Sequence, residues 1–199
     1  IKTDENGNLM WSFEYDDSIE YYNGQQTVDG GYISVGEVLN SENLENQWDF
    51  LIRKFSVDGE IEWTETLGGV EKQYGYEVHQ TFDNGYIVCG QIGSLPFESV
   101  NLIKFNEYGD TLWTNNYGDV IRSIKQTTDS GFIILTNTYI WDDLDQNGVP
   151  SDDEIVQNIQ LYKTDENGEE EWSIVINSLD DEQGVYIEQT NEGGYIIVG

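Results

Sequence analysis

The sequence is poor in cysteine, histidine and basic residues, and it has no long hydrophobic run. Its 199 residues include one cysteine, which excludes an intramolecular disulfide. Cys89 ends the apolar run 86–89, a setting that predicts a small buried side chain rather than a nucleophile. No stretch approaches the ~20 apolar residues of a membrane-spanning helix, and no signal peptide is recognisable.

Basic charge is scarce against a large acidic excess. Eight lysines and arginines face 39 aspartates and glutamates, for a formal net charge of −31. Such a surface repels phosphate backbones and anionic lipid headgroups, so we predict no nucleic-acid partner and no membrane insertion. It attracts cations, and it suits a salty or calcium-rich medium in which ions screen the self-repulsion.

Four tryptophans mark a repeat. Each follows a glycine by four positions, and a lysine precedes each of these glycines by five. The four sets are Lys2–Gly7–Trp11, Lys54–Gly59–Trp63, Lys104–Gly109–Trp113 and Lys163–Gly168–Trp172. A second block, which begins with Gln-Thr and ends with an aromatic residue and Ile, recurs at Gln26–Ile33, Gln80–Ile87, Gln126–Ile133 and Gln189–Ile196. Two blocks that recur together in this way indicate structural repeats of ~50 residues.

Each repeat contains four strand-like runs and no convincing helix. In the second copy the runs are 76–81, 86–90, 101–105 and 111–115, which are rich in β-branched and aromatic residues. The Asp-x-Gly turn between the first two runs predicts a short hairpin whose glycine takes a positive φ. Segments such as Asp4–Gly7 have the Asp and Gly positions that type I turns favour. Each repeat is therefore predicted to be a four-stranded meander.

Meanders that recur at this period are typical of propeller blades. We predict an all-β fold, a β-propeller of four-stranded antiparallel blades, with residues 1–199 forming a single domain. The repeated tryptophans are predicted to pack between blades. The repeated lysines are predicted to pair with nearby carboxylates, and an anion-binding ring is the alternative.

The repeat also resembles a known group. The pattern carried by residues 102–113 and 26–36 is similar to the propeller repeats of large secreted or surface-attached bacterial and archaeal proteins. More distantly, its Gly-x-x-x-Trp element is similar to the tryptophan repeats of quinoprotein dehydrogenases. The resemblance covers essentially the whole chain and implies an extracellular or cell-surface propeller. It implies no particular activity, because one propeller fold hosts many functions.

The order of the strand types leaves two arrangements open. The sequence begins in a third-strand run at 1–3 and ends in a second-strand run at 195–199. In one arrangement the first strand pair completes the last blade and closes a four-bladed ring. In the other, the chain is a segment of a longer propeller. Ile1 is not a natural start, which favours the segment.

One loop carries a metal-binding motif. The insertion at 142–155, in the third repeat, fits the calcium-loop pattern D-x-[DN]-x-[DN]-G-x₅-E at every specified position. Gly148, at position six, permits the sharp turn that brings the oxygen ligands together. The predicted ligands are Asp143, Asp145, Asn147, the Val149 carbonyl, Ser151 and Glu154. Strand-like flanks exclude a helix–loop–helix hand, so we predict an isolated structural calcium loop.

No catalytic constellation can be assembled from the remaining residues. His79, the single histidine, is predicted to be a polar channel or surface residue. Trp48 and Trp141 are predicted to be exposed loop aromatics on which a sugar could stack. The predicted cofactor is calcium. The absence of predicted catalytic residues favours a non-catalytic module.

The sequence therefore favours a cell-surface or extracellular propeller used for adhesion, recognition or structural assembly. Its predicted partners are a protein or glycan ligand at the cell surface, or other domains or copies of the same assembly. The alternative is a fragment of a propeller enzyme, either carbohydrate-active or quinoprotein-like.

Overall fold

A computed structural model describes residues 1–14, 18–40, 47–68, 73–92, 99–117, 120–141, 155–176 and 182–199. This part of the chain contains sixteen β-strands and no helix. The strands are β1 Lys2–Thr3, β2 Leu9–Trp11, β3 Ile19–Gln26, β4 Tyr32–Asn40, β5 Gln47–Phe55, β6 Ile61–Leu67, β7 Gln73–Gln80, β8 Tyr86–Ile92, β9 Ser99–Phe105, β10 Thr111–Asn116, β11 Val120–Gln126, β12 Phe132–Trp141, β13 Ile155–Thr164, β14 Glu170–Ile176, β15 Tyr186–Gln189 and β16 Tyr195–Val198.

The strands form antiparallel meanders, as the repeat predicts. Three sheets have four strands each: the first sheet (β3–β6), the second sheet (β7–β10) and the third sheet (β11–β14). Two further sheets have two strands each: the N-terminal hairpin (β1–β2) and the C-terminal hairpin (β15–β16). The all-β prediction and the four-stranded repeat are confirmed. The five sheets are separate hydrogen-bonded sets, so strand pairing among the described residues does not close them into a ring.

The chain divides into two compact units. The first unit, Ile1–Asn116, holds the N-terminal hairpin and the first and second sheets. The second unit, Tyr117–Gly199, holds the third sheet and the C-terminal hairpin.

The turn between the first two strands of each repeat has one backbone form. In the first sheet, the Gly30 amide donates to the Thr27 carbonyl and the Thr27 amide donates to the Gly31 carbonyl, both at 2.9 Å. This pairing makes Thr27–Gly30 a four-residue turn whose fourth residue is left-handed. The residues with positive φ there are Gly30, Asn84, Ser130 and Gly193.

The prediction that the glycine of Asp-x-Gly takes the positive φ is therefore wrong, because residue x takes it. Asn tolerates this left-handed conformation better than most side chains do. The glycine that follows x is required for a different reason, which concerns the neighbouring lysine.

A β-bulge recurs at the same place between the third and fourth strands of each four-stranded sheet. The register shifts between Lys54 and Phe55 on β5, where Glu62 is the extra residue on β6. A matching shift occurs between Lys163 and Thr164, opposite Glu171. A bulge re-aims the side chain of the extra residue, and here it brings a glutamate to the lysine.

Apolar side chains fill the space between the sheets of each unit. In the first unit, side chains of the first and second sheets form one buried cluster, whose members are Ile33, Val35, Phe50, Ile52, Val78, Tyr86, Val88, Ile103 and Phe105. In the second unit, the buried cluster consists of Ile133, Leu135, Leu161 and Ile187. Burial of each large aliphatic or aromatic side chain stabilises the fold by about 1.5–3 kcal/mol.

Candidate functional site

The repeated lysine lies inside the protein in an ion-paired site, which we call the lysine site. Lys54 on β5 is 2% exposed. Its Nζ donates to Asp29 Oδ2 at 2.8 Å, to Glu62 Oε2 at 2.9 Å and to the Phe55 carbonyl at 3.1 Å. These three acceptors use all three ammonium hydrogens, so the buried charge is fully hydrogen-bonded.

The same site is built in the other four-stranded sheets. In the third sheet, Lys163 Nζ lies 3.0 Å from Asp129 Oδ2 and 2.9 Å from Glu171 Oε2. In the second sheet, Lys104 Nζ lies 2.9 Å from Asp83 Oδ2. Leu112 replaces the glutamate at the bulge of that sheet. The prediction that the repeated lysines pair with nearby carboxylates is confirmed for these three copies.

The electrostatics of the lysine site keep both partners charged. Hydrogen bonds from Lys54 and Thr27 lower the pKa of Asp29 to about 2. Hydrogen bonds from Thr127 and Lys163 likewise lower the pKa of Asp129 to about 2, against the opposing effect of burial. Burial acts to lower the pKa of Lys54, but its bonds to Asp29 and Glu62 outweigh burial and raise it. An ammonium held protonated in this way is a structural cation and not a nucleophile.

The glycine that follows the turn makes room for the lysine. A Cβ on Gly31 would lie 2.3 Å from the Phe55 carbonyl oxygen and 2.6 Å from Lys54 Nζ. A Cβ on Gly85 would lie 2.3 Å from the Phe105 carbonyl oxygen and 2.4 Å from Lys104 Nζ. The glycine is therefore required by close packing at the lysine site.

Three of the repeated tryptophans pack against an aromatic residue of the next repeat. Trp63 of the first sheet contacts Tyr86 of the second sheet, with ring centroids 5.7 Å apart. Trp172 contacts Tyr195 at 5.9 Å, and Trp11 contacts Tyr32 at 5.6 Å. These contacts confirm, for three of the four repeated tryptophans, the prediction that they pack between successive repeats.

An open groove lies beside the first lysine site, between the first and second sheets. It has a volume of about 490 Å³. Tyr108 and Trp63 line it, together with Asp29, Glu62 and Glu107. Tyr108 is 72% exposed, so its ring is available to a ligand in the groove. Sequence reasoning missed this tyrosine, although its place in the turn 106–109 was a signal of exposure.

His79 lies on β7, where it takes part in a polar cluster. Its Nε2 lies 2.6 Å from Glu77 Oε1, and its Nδ1 lies 3.1 Å from Gln25 Oε1 on β3. The histidine side chain is 25% exposed and the glutamate side chain 17% exposed. This partly exposed polar position agrees with the prediction for His79.

The predicted calcium ligands Asp143, Asp145, Asn147, Val149, Ser151 and Glu154 all lie outside the described residues. The structure does describe the strands on either side of them. β12 and β13 pair over ten residues each, up to the pair Trp141 and Ile155. The motif thus joins the two strands of a long hairpin, which agrees with the strand-like flanks of the prediction.

The two tryptophans proposed as loop aromatics are both in strands. Trp48 lies on β5, partly buried and opposite Leu39 on β4. Trp141 is the last residue of β12. The prediction of their loop location is wrong, because the flanking strands extend further than the apolar runs indicated.

Within the part of the chain that the structure covers, no group of three or more His, Cys, Asp or Glu side chains could hold a metal ion. No helix there is long and apolar enough to cross a membrane. Cys89 is buried, at 1% exposed, as predicted.

Comparisons with known proteins add little to this geometry. No family model matches the chain, and no curated protein matches it. Among solved structures, the chain is similar to a protein of unknown function from Bacteroides caccae. The two are 13% identical, with a TM-score of 0.33, over 86% of this chain and 73% of the other.

Proposed function

We propose that this chain is a non-catalytic, extracellular or cell-surface β-propeller module. Its role would be adhesion, recognition or structural assembly, and a calcium ion would stabilise its longest hairpin. The three four-stranded sheets, each with a buried lysine paired to an aspartate, support assignment of the sheets as blades. Hydrogen-bonded ion pairs and packed aromatic rings make these sheets a rigid scaffold. Loops on such a scaffold can present a binding surface.

The observation that carries the proposal is the calcium-type motif between β12 and β13. Trp141 and Ile155, the residues on either side of the segment 142–154, lie opposite one another at the end of this hairpin. The segment contains five aspartates and one glutamate, whose carboxylates repel one another without a cation. An all-oxygen ligand set in this motif favours calcium over magnesium, which prefers tight octahedral geometry, and over zinc, which prefers nitrogen and sulfur.

Calorimetry tests the calcium site. The native chain should bind one calcium with a dissociation constant on the order of 10⁻⁴ to 10⁻³ M, the range of extracellular modules. Asp145→Ala removes a predicted ligand, so we expect binding at least about tenfold weaker, a loss of about 1.4 kcal/mol. Titrations in 0.15 M sodium chloride (roughly physiological ionic strength) suppress diffuse binding of cations to the acidic surface.

Glu166→Ala is the matched control, since it removes one exposed acid from the turn between β13 and β14. This variant should bind calcium as the native chain does. Equal heats for the native chain and Asp145→Ala would exclude the proposed site.

A further inference from the structure

The open groove beside the first lysine site has walls of fixed geometry, and its residues all belong to the first unit. On one wall, two carboxylates are held by their bonds to Lys54. On the other wall, the turn 106–109 packs against the first sheet, since a Cβ on Gly109 would lie 3.1 Å from the Trp63 ring. Its volume of about 490 Å³ is within the usual range of ligand pockets.

Tyr108 departs from the repeat at a position where the other copies have a turn residue. Its equivalents, which precede the repeated glycines, are Asn6, Asp58 and Asn167. The turn does not require the tyrosine. The Tyr108 amide donates to Asn106 Oδ1 at 2.9 Å, and the equivalent amide of Asn167 donates to Asp165 Oδ1 at 2.8 Å. The exposed ring of Tyr108 is therefore a ligand contact that the fold itself does not need.

Tyr86 offers the groove a polar atom that the protein does not use. Its side chain lines the groove and is 2% exposed. Its hydroxyl has no hydrogen-bond partner among the described residues. The hydroxyl of a buried tyrosine usually has such a partner, so this one is available to a ligand in the groove.

The charge of the groove is negative. Its lining contains one ammonium group, that of Lys54, and three carboxylates, those of Asp29, Glu62 and Glu107. Burial raises the pKa of the Tyr86 hydroxyl, and the charges of all three carboxylates add to this effect, against that of the lysine. The lysine donates all its hydrogens within the protein. The field in the groove therefore favours a cation.

The hydrogen-bonding groups that remain available in the groove are acceptors. Ionised carboxylates only accept, and a tyrosine hydroxyl can accept. The Gln80 amide is already used, since its Oε1 accepts from the Val28 amide at 2.8 Å and its Nε2 donates to the Asn84 carbonyl at 3.3 Å. The complementary ligand is a cation that is rich in donors and flat enough to stack on Tyr108. A guanidinium group has these properties.

We infer that this groove binds an arginine side chain of a protein partner. The guanidinium group stacks on the Tyr108 ring, where cation–π attraction strengthens the contact. Its N–H groups donate to Glu62, to Glu107 and to the Tyr86 hydroxyl. Its aliphatic stem packs on Trp63.

A lysine side chain fits this groove less well, because its ammonium is a compact and strongly hydrated charge that does not stack. The inference rests on the recognition role in the proposed function and names the chemical class of the ligand. It does not involve the calcium loop.

A peptide titration followed by NMR tests the site. The probe is acetyl-Gly-Arg-Gly-amide, and a second peptide has citrulline in place of arginine, which keeps the shape but removes the charge. The buffer contains EDTA and 0.15 M sodium chloride (roughly physiological ionic strength), which screens diffuse attraction to the acidic surface. The arginine peptide should shift the Tyr108 amide and Trp63 indole signals to saturation. The citrulline peptide should bind at least about tenfold more weakly, since it loses the cation–π contact and the charge-assisted hydrogen bonds.

Two variants locate the binding. Tyr108→Asn introduces the residue type of other repeats, so it should fold normally and bind the arginine peptide at least about threefold more weakly. Glu107→Gln removes one acceptor charge and should also weaken binding. Glu166→Gln is the matched control, since it makes the same change at the equivalent position of the third sheet, where Asn167 replaces the tyrosine. This control should bind as the native chain does.

Three outcomes overturn the inference: no saturable shift, equal binding of the two peptides, or binding that Tyr108→Asn leaves unchanged. Circular dichroism and melting confirm that each variant is folded. Because the titration is made in EDTA, its failure is separate from failure of the calcium site.

Discussion

At the residue scale, the buried lysine and the glycine beside it form one packing unit. The Lys104 ammonium is covered on one side by the backbone of Gly85, since no side chain could occupy that space. Its hydrogen bonds run to Asp83 and to the Phe105 carbonyl. Loss of any of these partners would leave a buried charge without a hydrogen bond and would strongly destabilise the fold. The glycine is therefore needed both for close packing and for the ion pair.

We predict that Gly85→Ala lowers the free energy of unfolding by about 2 kcal/mol or more, because its Cβ must displace the Phe105 carbonyl or the lysine. Gly194→Ala is the matched control at the equivalent position, where the space is open. It should change stability by less than about 0.5 kcal/mol. Urea unfolding of the two variants measures the difference, and equal destabilisation would contradict the packing role.

At the element scale, the turns differ in how well their sequences suit the left-handed position. Ser130 has a φ of 72° there, while the equivalent residues in the first sheet and the C-terminal hairpin are glycines. A left-handed conformation costs a side-chain-bearing residue about 1–2 kcal/mol, and Asn bears it more easily than Ser. The hairpin of β11 and β12 is therefore strained at one residue.

We predict that Ser130→Gly stabilises the protein by about 0.5–1 kcal/mol, since relief of the strain exceeds the entropic cost of glycine. Thr128→Gly, in the same turn but without a positive φ, should instead destabilise it by about 0.5–1 kcal/mol. Thermal melts of both variants provide the comparison. A Ser130→Gly protein that melts below the native chain would show that the turn is not strained.

At the scale of the whole molecule, the net charge of −31 opposes folding through self-repulsion. Four of the eight basic residues are the repeated lysines, three of which are buried in ion pairs. These lysines neutralise local carboxylates and leave the rest of the acidic surface uncompensated. Cations from the medium must supply that compensation.

We predict that the melting temperature rises with sodium chloride, as the Debye length falls from about 30 Å at 0.01 M to about 3 Å at 1 M. The series should be run in EDTA, so that calcium does not contribute. At a pH near the sequence pI of about 4.1, the net charge is small and the salt effect should largely disappear. A melting temperature that is flat or falling at neutral pH would contradict the role of self-repulsion.

Much of the fold and of the lysine site follows from local sequence pattern. Alternating β-branched and aromatic runs fix the strands, because their side chains suit a pleated and half-buried surface. The lysine–carboxylate pairs and the packing of Trp63 on Tyr86 could also be predicted, since both elements repeat at constant spacing. A repeat copies each local contact, so one copy interpreted correctly predicts the others.

Tertiary structure alone decided several features, because they depend on hydrogen bonds and packing that the residue pattern does not specify. Which turn residue takes the positive φ depends on the hydrogen bonds across the hairpin, and the glutamate at the lysine site depends on the bulge at Glu62. Ile196 and Ile133 occupy the same position of the repeated block, yet one side chain is exposed and the other buried. Local sequence determines where each strand forms. The exposure of its side chains depends instead on which sheet packs against it, a long-range property that no local pattern encodes.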